Sequence, residues 1–350
     1  MRKKSPAFSL LAAILAYFAL WLLVPRATFL PLIVKHLITS ASHAGAAAFP
    51  LHVLALCIIA LPTVAFMAIQ IGIVYFFTKI KMNPLQSLLA LLGFLAAAFL
   101  LMNLIVIQTG IPHKMGQYPG IRMQFFILSN VISGFKLPYY LMVMLAAVGL
   151  GYIISSRVKD KNLLLPVVMF AAFIDLWTVT VGPVATVLKK APEVVGAVST
   201  PIPHAGAGAF VPMTMIGSGD FIFMALVFAV VHRFSMRPRR NYWAIFAAMT
   251  IGMLVVMFGF LNALPALVVL AVAVIGANYR EFKLSREEKI STAIVGVLLM
   301  ASLPLMWFVI APKLNKAHSH KPKLAVTAPA SNAPKPNHKH LNTEPNLHRN

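Results

Sequence analysis

Apolar residues run along this chain in stretches of about 20, separated by short polar turns. A helix needs about 20 such residues to cross about 30 Å of hydrocarbon. On that rule the pattern predicts spans near 8–25, 51–78, 85–108, 137–156, 163–187, 210–231, 243–260, 262–279 and 290–311. The expected fold class is therefore an all-α polytopic membrane protein with nine transmembrane helices. The stretch from Ile121 to Phe135 is apolar for only about 14 residues, roughly 21 Å as a helix. It reads as interfacial or re-entrant, with a short tenth span as the alternative. The basic start MRKK and the apolar run from Phe8 to Val24 resemble a signal peptide, but that run is long for one and no small-residue cleavage site follows it. A retained first helix is expected.

The basic residues then orient the spans. Arg2, Lys3 and Lys4, then Lys79 and Lys81, then Arg157, Lys159 and Lys161, then Arg233, Arg237, Arg239 and Arg240, then Arg280, Lys283, Arg286 and Lys289 all fall on one side of a nine-span arrangement. Cytoplasmic loops collect Lys and Arg, so that side and the N-terminus are expected in the cytoplasm, with the connection between spans 163–187 and 210–231 outside. The chain divides into N-terminal helices over 1–160, a second helical unit over 161–311, and a Pro-, Lys-, His- and Asn-rich tail over 312–350 that lacks the apolar residues to build a core. The tail histidines His318, His320, His338 and His340 read as solvated or as transient metal contacts.

Composition agrees with this pattern. A chain of 350 residues with 60% hydrophobic and 11% charged residues and a mean hydropathy of +0.84 has too little polar surface for a soluble globule. The net charge of +22 suggests nucleic acid in a soluble protein. Here the charge lies in turns and tail, so it reads as topogenic and lipid-facing, and no nucleic-acid partner is expected. Cys57, the single cysteine, excludes intrachain disulfides and reads as a packing residue.

Against this background the aspartates stand out, since two of the three, Asp175 and Asp220, lie inside apolar runs. An ionised carboxylate in hydrocarbon costs several kcal/mol, so an intramembrane acid is a functional candidate by default. Helix geometry puts Asp175 about 18 Å from either end of its predicted span and Asp220 about 15 Å from the start of its own. Both reach mid-membrane, where antiparallel neighbours can bring two carboxyls together. Two such groups share one proton and serve as general acid and general base on one water.

Two neighbouring motifs extend the candidate site. In Gly217-Ser218-Gly219-Asp220 the glycines remove side chains beside the acid, which lets a backbone approach; the plain alternative is a small-residue packing patch. The apolar run from Tyr242 to Tyr279 is over about 50 Å long as one helix, so it must turn back near Gly259 to Pro265. That leaves Leu264-Pro265-Ala266-Leu267 as non-helical backbone below the membrane surface, tolerated only against protein or a cavity. Such backbone can pair with an unwound strand. A simple helix-breaking turn is the alternative. Asp175 is followed by Trp177, Thr178 and Thr180, whose hydroxyls offer a second reading of that acid as a locally capped one.

Asp175 in FIDLWTV, Asp220 in GSGDFIF and Pro265-Ala266-Leu267 in ALPAL, in this order, resemble the presenilin and signal peptide peptidase family of GxGD intramembrane aspartyl proteases. The likeness runs from Leu163 to Tyr279, and FIF and ALPAL are closer to presenilin. It implies a catalytic pair Asp175 and Asp220, substrate-binding backbone at Gly217, Ser218, Gly219, Leu264, Pro265, Ala266 and Leu267, transmembrane-helix clients as partners, and no metal or organic cofactor. Ile174 departs from the family, which commonly has tyrosine there, and the span at 290–311 is an addition. HExxH and GxSxG are absent. A proton-coupled transporter, a prepilin-peptidase-like protease and a catalytically idle helix-binding chaperone are the alternatives; oligomeric state and client identity are not encoded legibly.

Overall fold

The computed structural model describes residues 5–24, 29–43, 48–115, 118–130, 133–181, 192–201, 215–257 and 264–319. It is mostly helical. In hydrocarbon no water satisfies the backbone, so an apolar chain bonds its own carbonyls as helix. The helices are α1 Pro6–Leu23, α2 Phe29–His43, α3 Ala48–Thr78, α4 Pro84–Gln108, α5 Ile111–Met115, α6 Ile121–Asn130, α7 Lys136–Ser155, α8 Leu164–Val181, α9 Pro192–Val198, α10 Ser218–Arg233, α11 Pro238–Met257, α12 Ala266–Asn278 and α13 Arg286–Ser319. Two short strands, β1 Thr200–Pro201 and β2 Met215–Ile216, pair antiparallel, with Thr200 opposite Ile216.

Local chemistry sets several of these ends. Ser5 Oγ accepts from Phe8 N at 3.3 Å and Pro6 opens α1, a proline placed where its missing N–H costs nothing. At α13, Ser285 and Glu288 cap one another reciprocally, Ser285 N to Glu288 Oε2 at 2.7 Å and Glu288 N to Ser285 Oγ at 3.1 Å.

Among the described residues, five helices are long and apolar enough to cross a membrane: Pro6–Leu23, Phe49–Thr78, Pro84–Gln108, Lys136–Ser155 and Lys161–Thr178. The later spans differ from their sequence-based bounds. In the predicted span 210–231 the described residues begin with β2 and turn helical at Ser218; residues 210–214 lie outside the described residues. The predicted span 243–260 begins earlier, at Pro238, and takes Arg239 and Arg240 into its first turn. Helix α12 has 13 residues and begins at Ala266, inside the predicted span 262–279. Helix α13 runs to Ser319, past the boundary expected at 312. Helix α2 was not foreseen: Lys35 and His36 break its apolarity, and it packs along α3 as an amphipathic element. Cys57 is exposed on α3 and is not the packing residue expected.

The central element is α10. Phe221 and every residue from Phe223 to Val231 are buried, as expected of a helix that is apolar on all sides. Helix α7 lies between α4 and α10 and brings small residues to both. A Cβ on Gly151 would sit 2.1 Å from the Ile222 carbonyl oxygen, so only glycine allows this approach of α7 to α10. Gly151→Ala is expected to cost about 1–3 kcal/mol by forcing the helices apart. Gly149→Ala, whose Cβ would meet Leu91 at an ordinary 3.6 Å, is the control. Thermal unfolding in detergent checks the pair: equal midpoints would refute the tight contact.

Four turns are hydrogen-bonded to one another at one end of the bundle. Met82 N donates to Tyr152 Oη at 3.1 Å, joining the α3–α4 turn to the end of α7. Arg233 Nη1, at the end of α10, donates to the carbonyls of Ser155 and Val158 at 2.9 and 3.3 Å. Asn162 Nδ2 donates to Lys283 O at 3.1 Å, and Arg237 pairs with Glu281 at 2.9 Å. The basic clusters at 79–81, 157–161, 233–240 and 280–289 therefore share one end.

Candidate active site

Asp220 reaches its place through a change of backbone form. Strand β2 ends at Ile216, Gly217 is extended with φ −67° and ψ 147°, and α10 starts at Ser218. Asp220 is thus in the first turn of its helix, where Oδ2 accepts from Gly217 N at 3.2 Å. The sequence expectation of an acid about 15 Å inside a helix beginning at 210 is corrected here. Depth must be counted from the other end, where Asp220 lies 13 residues, about 20 Å, from Arg233. Asp175 lies 11 residues, about 16 Å, from Leu164, at that same end. The two depths agree within about 3 Å.

The glycines differ in what they face. A Cβ on Gly217 would lie 3.5 Å from Asp220 Oδ2, whereas one on Gly219 would meet nothing within 4 Å. Gly219 is exposed and Ser218 is half-buried beside it. The backbone next to the acid is open to approach, which fits access better than a packing patch.

Asp175 is held by the third motif. Its Oδ2 accepts from Leu267 N at 2.9 Å. Pro265 occupies the N-cap of α12 in extended form, φ −65° and ψ 105°, and has no side-chain acceptor to offer. The non-helical backbone expected as far as Leu267 ends at Pro265: Ala266 and Leu267 are the first two residues of α12, and the N–H of the second normally turns to the capping side chain. Asp175 supplies that cap from another helix. The hydroxyl of Thr178 donates to the Asp175 main-chain carbonyl at 3.0 Å, not to its carboxylate, so the locally capped reading of this acid does not apply at Thr178. Thr180's side chain lies outside the described residues.

One consequence is measurable. Asparagine keeps an oxygen that can accept from Leu267 N, and alanine does not. Asp175→Ala should lower stability by about 1 kcal/mol more than Asp175→Asn. Equal unfolding midpoints for the two variants would refute the cap.

Helix α12 packs against both α8 and α10 and so bridges the two aspartate helices. The expected residues form two hydrogen-bonded pairs, Asp175 with Leu267 and Asp220 with Gly217, and Asp220, Leu264 and Ala266 line a common cavity of about 180 Å3 that Asp175 does not line. Leu264 is seated by Gly252, where a Cβ would come within 2.6 Å of Leu264 Cδ2. The turn expected from Gly259 onward lies outside the described residues as far as 263.

The cavity also takes residues the motifs do not name. Met67 comes from α3, Met215 from β2, and Met249 and Met253 from α11. The i, i+4 spacing of Met249 and Met253 marks one helix face and was available in the sequence. Nothing local marks Met67. Groups of three or more His, Cys, Asp or Glu able to hold a metal are absent among the described residues. No family model, no curated protein and no solved structure matches this chain.

Proposed function

We propose that this protein is an intramembrane aspartyl endopeptidase of the presenilin and signal peptide peptidase type, cleaving transmembrane helices of client proteins. The observation that carries the reading is the placement of Asp175 and Asp220 at matched depth on two apolar helices, each carboxylate accepting from a backbone N–H of the neighbouring motif, Leu267 and Gly217. A merely structural acid has no need of a second acid at its level.

In this reading one carboxylate of the pair takes a proton from water as its oxygen attacks the scissile carbonyl. The other, protonated, donates to the carbonyl oxygen. Collapse of the tetrahedral adduct returns that proton and passes one to the departing amide nitrogen, leaving a carboxyl and an amine. No metal or organic group enters. A helical client hides its carbonyls in its own hydrogen bonds, so it must be drawn out as a strand. Strand β2 pairs with β1 on one edge only among the described residues, and Met215 of β2 and Leu264, the residue before the extended Pro265, line the same cavity. Both offer backbone to an incoming strand.

The reading includes nine membrane spans, with α10, α11, α12 and α13 added to the five that qualify by length and apolarity. It also places the N-terminus and the four joined basic turns in the cytoplasm.

A peptidomimetic with a hydroxyethylene group in place of the scissile amide tests this directly. It should bind the purified protein saturably, and Asp175→Asn or Asp220→Asn should each weaken it by at least about tenfold through a lost charge-assisted hydrogen bond. Equal binding by all three forms would reject the dyad and leave a transporter or an idle chaperone in its place.

A further inference from the structure

We infer that the cavity beside Asp220 is a side-chain specificity pocket that takes one large apolar residue, aromatic or unbranched, flanking the cut bond of a client. The inference rests on the protease reading and adds to it what the enzyme selects. The cavity holds about 180 Å3, and an apolar cavity of roughly 150 Å3 is enough to admit a benzene ring. Its size therefore suits a phenyl or a long unbranched chain, and leaves an alanine in a void.

Its occupant follows from the backbone around it. Asp220 forms part of the wall, so a group in the cavity sits next to the reacting acid. Met215 of β2 and Leu264, next to the extended Pro265, form parts of the same wall. Side chains of a strand alternate in direction, so a client strand laid along β2 turns every second residue to one face. One of those residues is delivered into the cavity.

The chemistry of the wall sets the tolerance. Met67, Met249 and Met253 come from two helices, and Val269 closes the side formed by α12. Methionine has three rotatable bonds and a polarisable sulfur, and adapts to occupants of different shape while favouring contact with an aromatic ring. The pocket thus discriminates by size more than by shape. Within a hydrophobic pocket each methylene is worth about 10- to 200-fold in kcat/KM, so phenylalanine should exceed alanine by at least about tenfold.

The test uses one single-span client peptide in lipid vesicles, with its cut bond first mapped by mass spectrometry. The residues flanking that bond are then changed singly to Ala, Val, Phe and Trp, and kcat/KM ratios are compared within each enzyme form, which cancels any loss of folded protein. At one flanking position the wild type should prefer Phe to Ala by at least about tenfold. Val269→Phe, which fills the cavity, should bring that ratio close to one. Met253→Ala, which enlarges it, should move the optimum to Trp. A wild type with no size preference at any flanking position, or ratios unchanged in both variants, overturns the pocket while leaving the protease intact. A wild type that cuts no client sinks the protease reading and the pocket with it.

Discussion

Asp175→Asn and Asp220→Asn should each reduce cleavage of a transmembrane client by at least about a hundredfold, the scale of a lost general acid or base. Neither change should unfold the protein. Asparagine is nearly isosteric, and its oxygen can still accept from Leu267 N in one case and Gly217 N in the other. The effects should also be non-additive: the double variant should be no slower than either single one, because a pair that exchanges one proton fails as a unit. Rates measured on vesicle-embedded protein, beside unfolding midpoints for the same preparations, check this. A single variant that keeps a large share of wild-type turnover would remove the dyad.

The connection between α8 and α10 should lie outside the cytoplasm, an all-or-none expectation. The hydrogen bonds from Arg233 to Ser155 and Val158, and from Asn162 to Lys283, put the basic turns at one end. Membranes retain such ends inside. Presenilins have the opposite sense and signal peptide peptidases the same one, so clients should enter with N-termini in the cytoplasm. Cysteines at Val198 and Ser156, both exposed, report the two sides in a Cys57→Ala background. An impermeant maleimide on intact cells should label the Val198→Cys protein alone. Labelling of the Ser156→Cys protein alone would invert the model and with it the predicted client orientation.

How far the sequence reveals this arrangement depends on the range of each interaction. Asp175, Asp220 and ALPAL are conspicuous because charge and proline are rare in apolar runs, but the non-helical stretch expected through Leu267 stops at Pro265, since helix α12 already includes Ala266 and Leu267. Hydropathy cannot tell a short buried strand from helix. It therefore extended the Asp220 helix back to 210, whereas the structure has β2 at Met215–Ile216 and an extended Gly217 before the helix. Strands of two residues carry no alternation to detect. Helix α2 escaped because amphipathic helices fail a rule written for spans. The bridging position of α12 and the presence of Met67 in the cavity wall are products of tertiary packing, to which no local pattern points.

The most direct measurement of the central claim is cleavage of a single-span peptide by purified protein in water enriched in oxygen-18. Hydrolysis by the dyad puts one solvent oxygen into the new C-terminal carboxyl. Mass spectrometry should show a fragment pair divided within the client's apolar segment, the N-terminal fragment carrying the heavy oxygen, and neither fragment with Asp175→Asn or Asp220→Asn. Fragments that persist undiminished in both variants, or a client left whole by the wild type, would contradict the account.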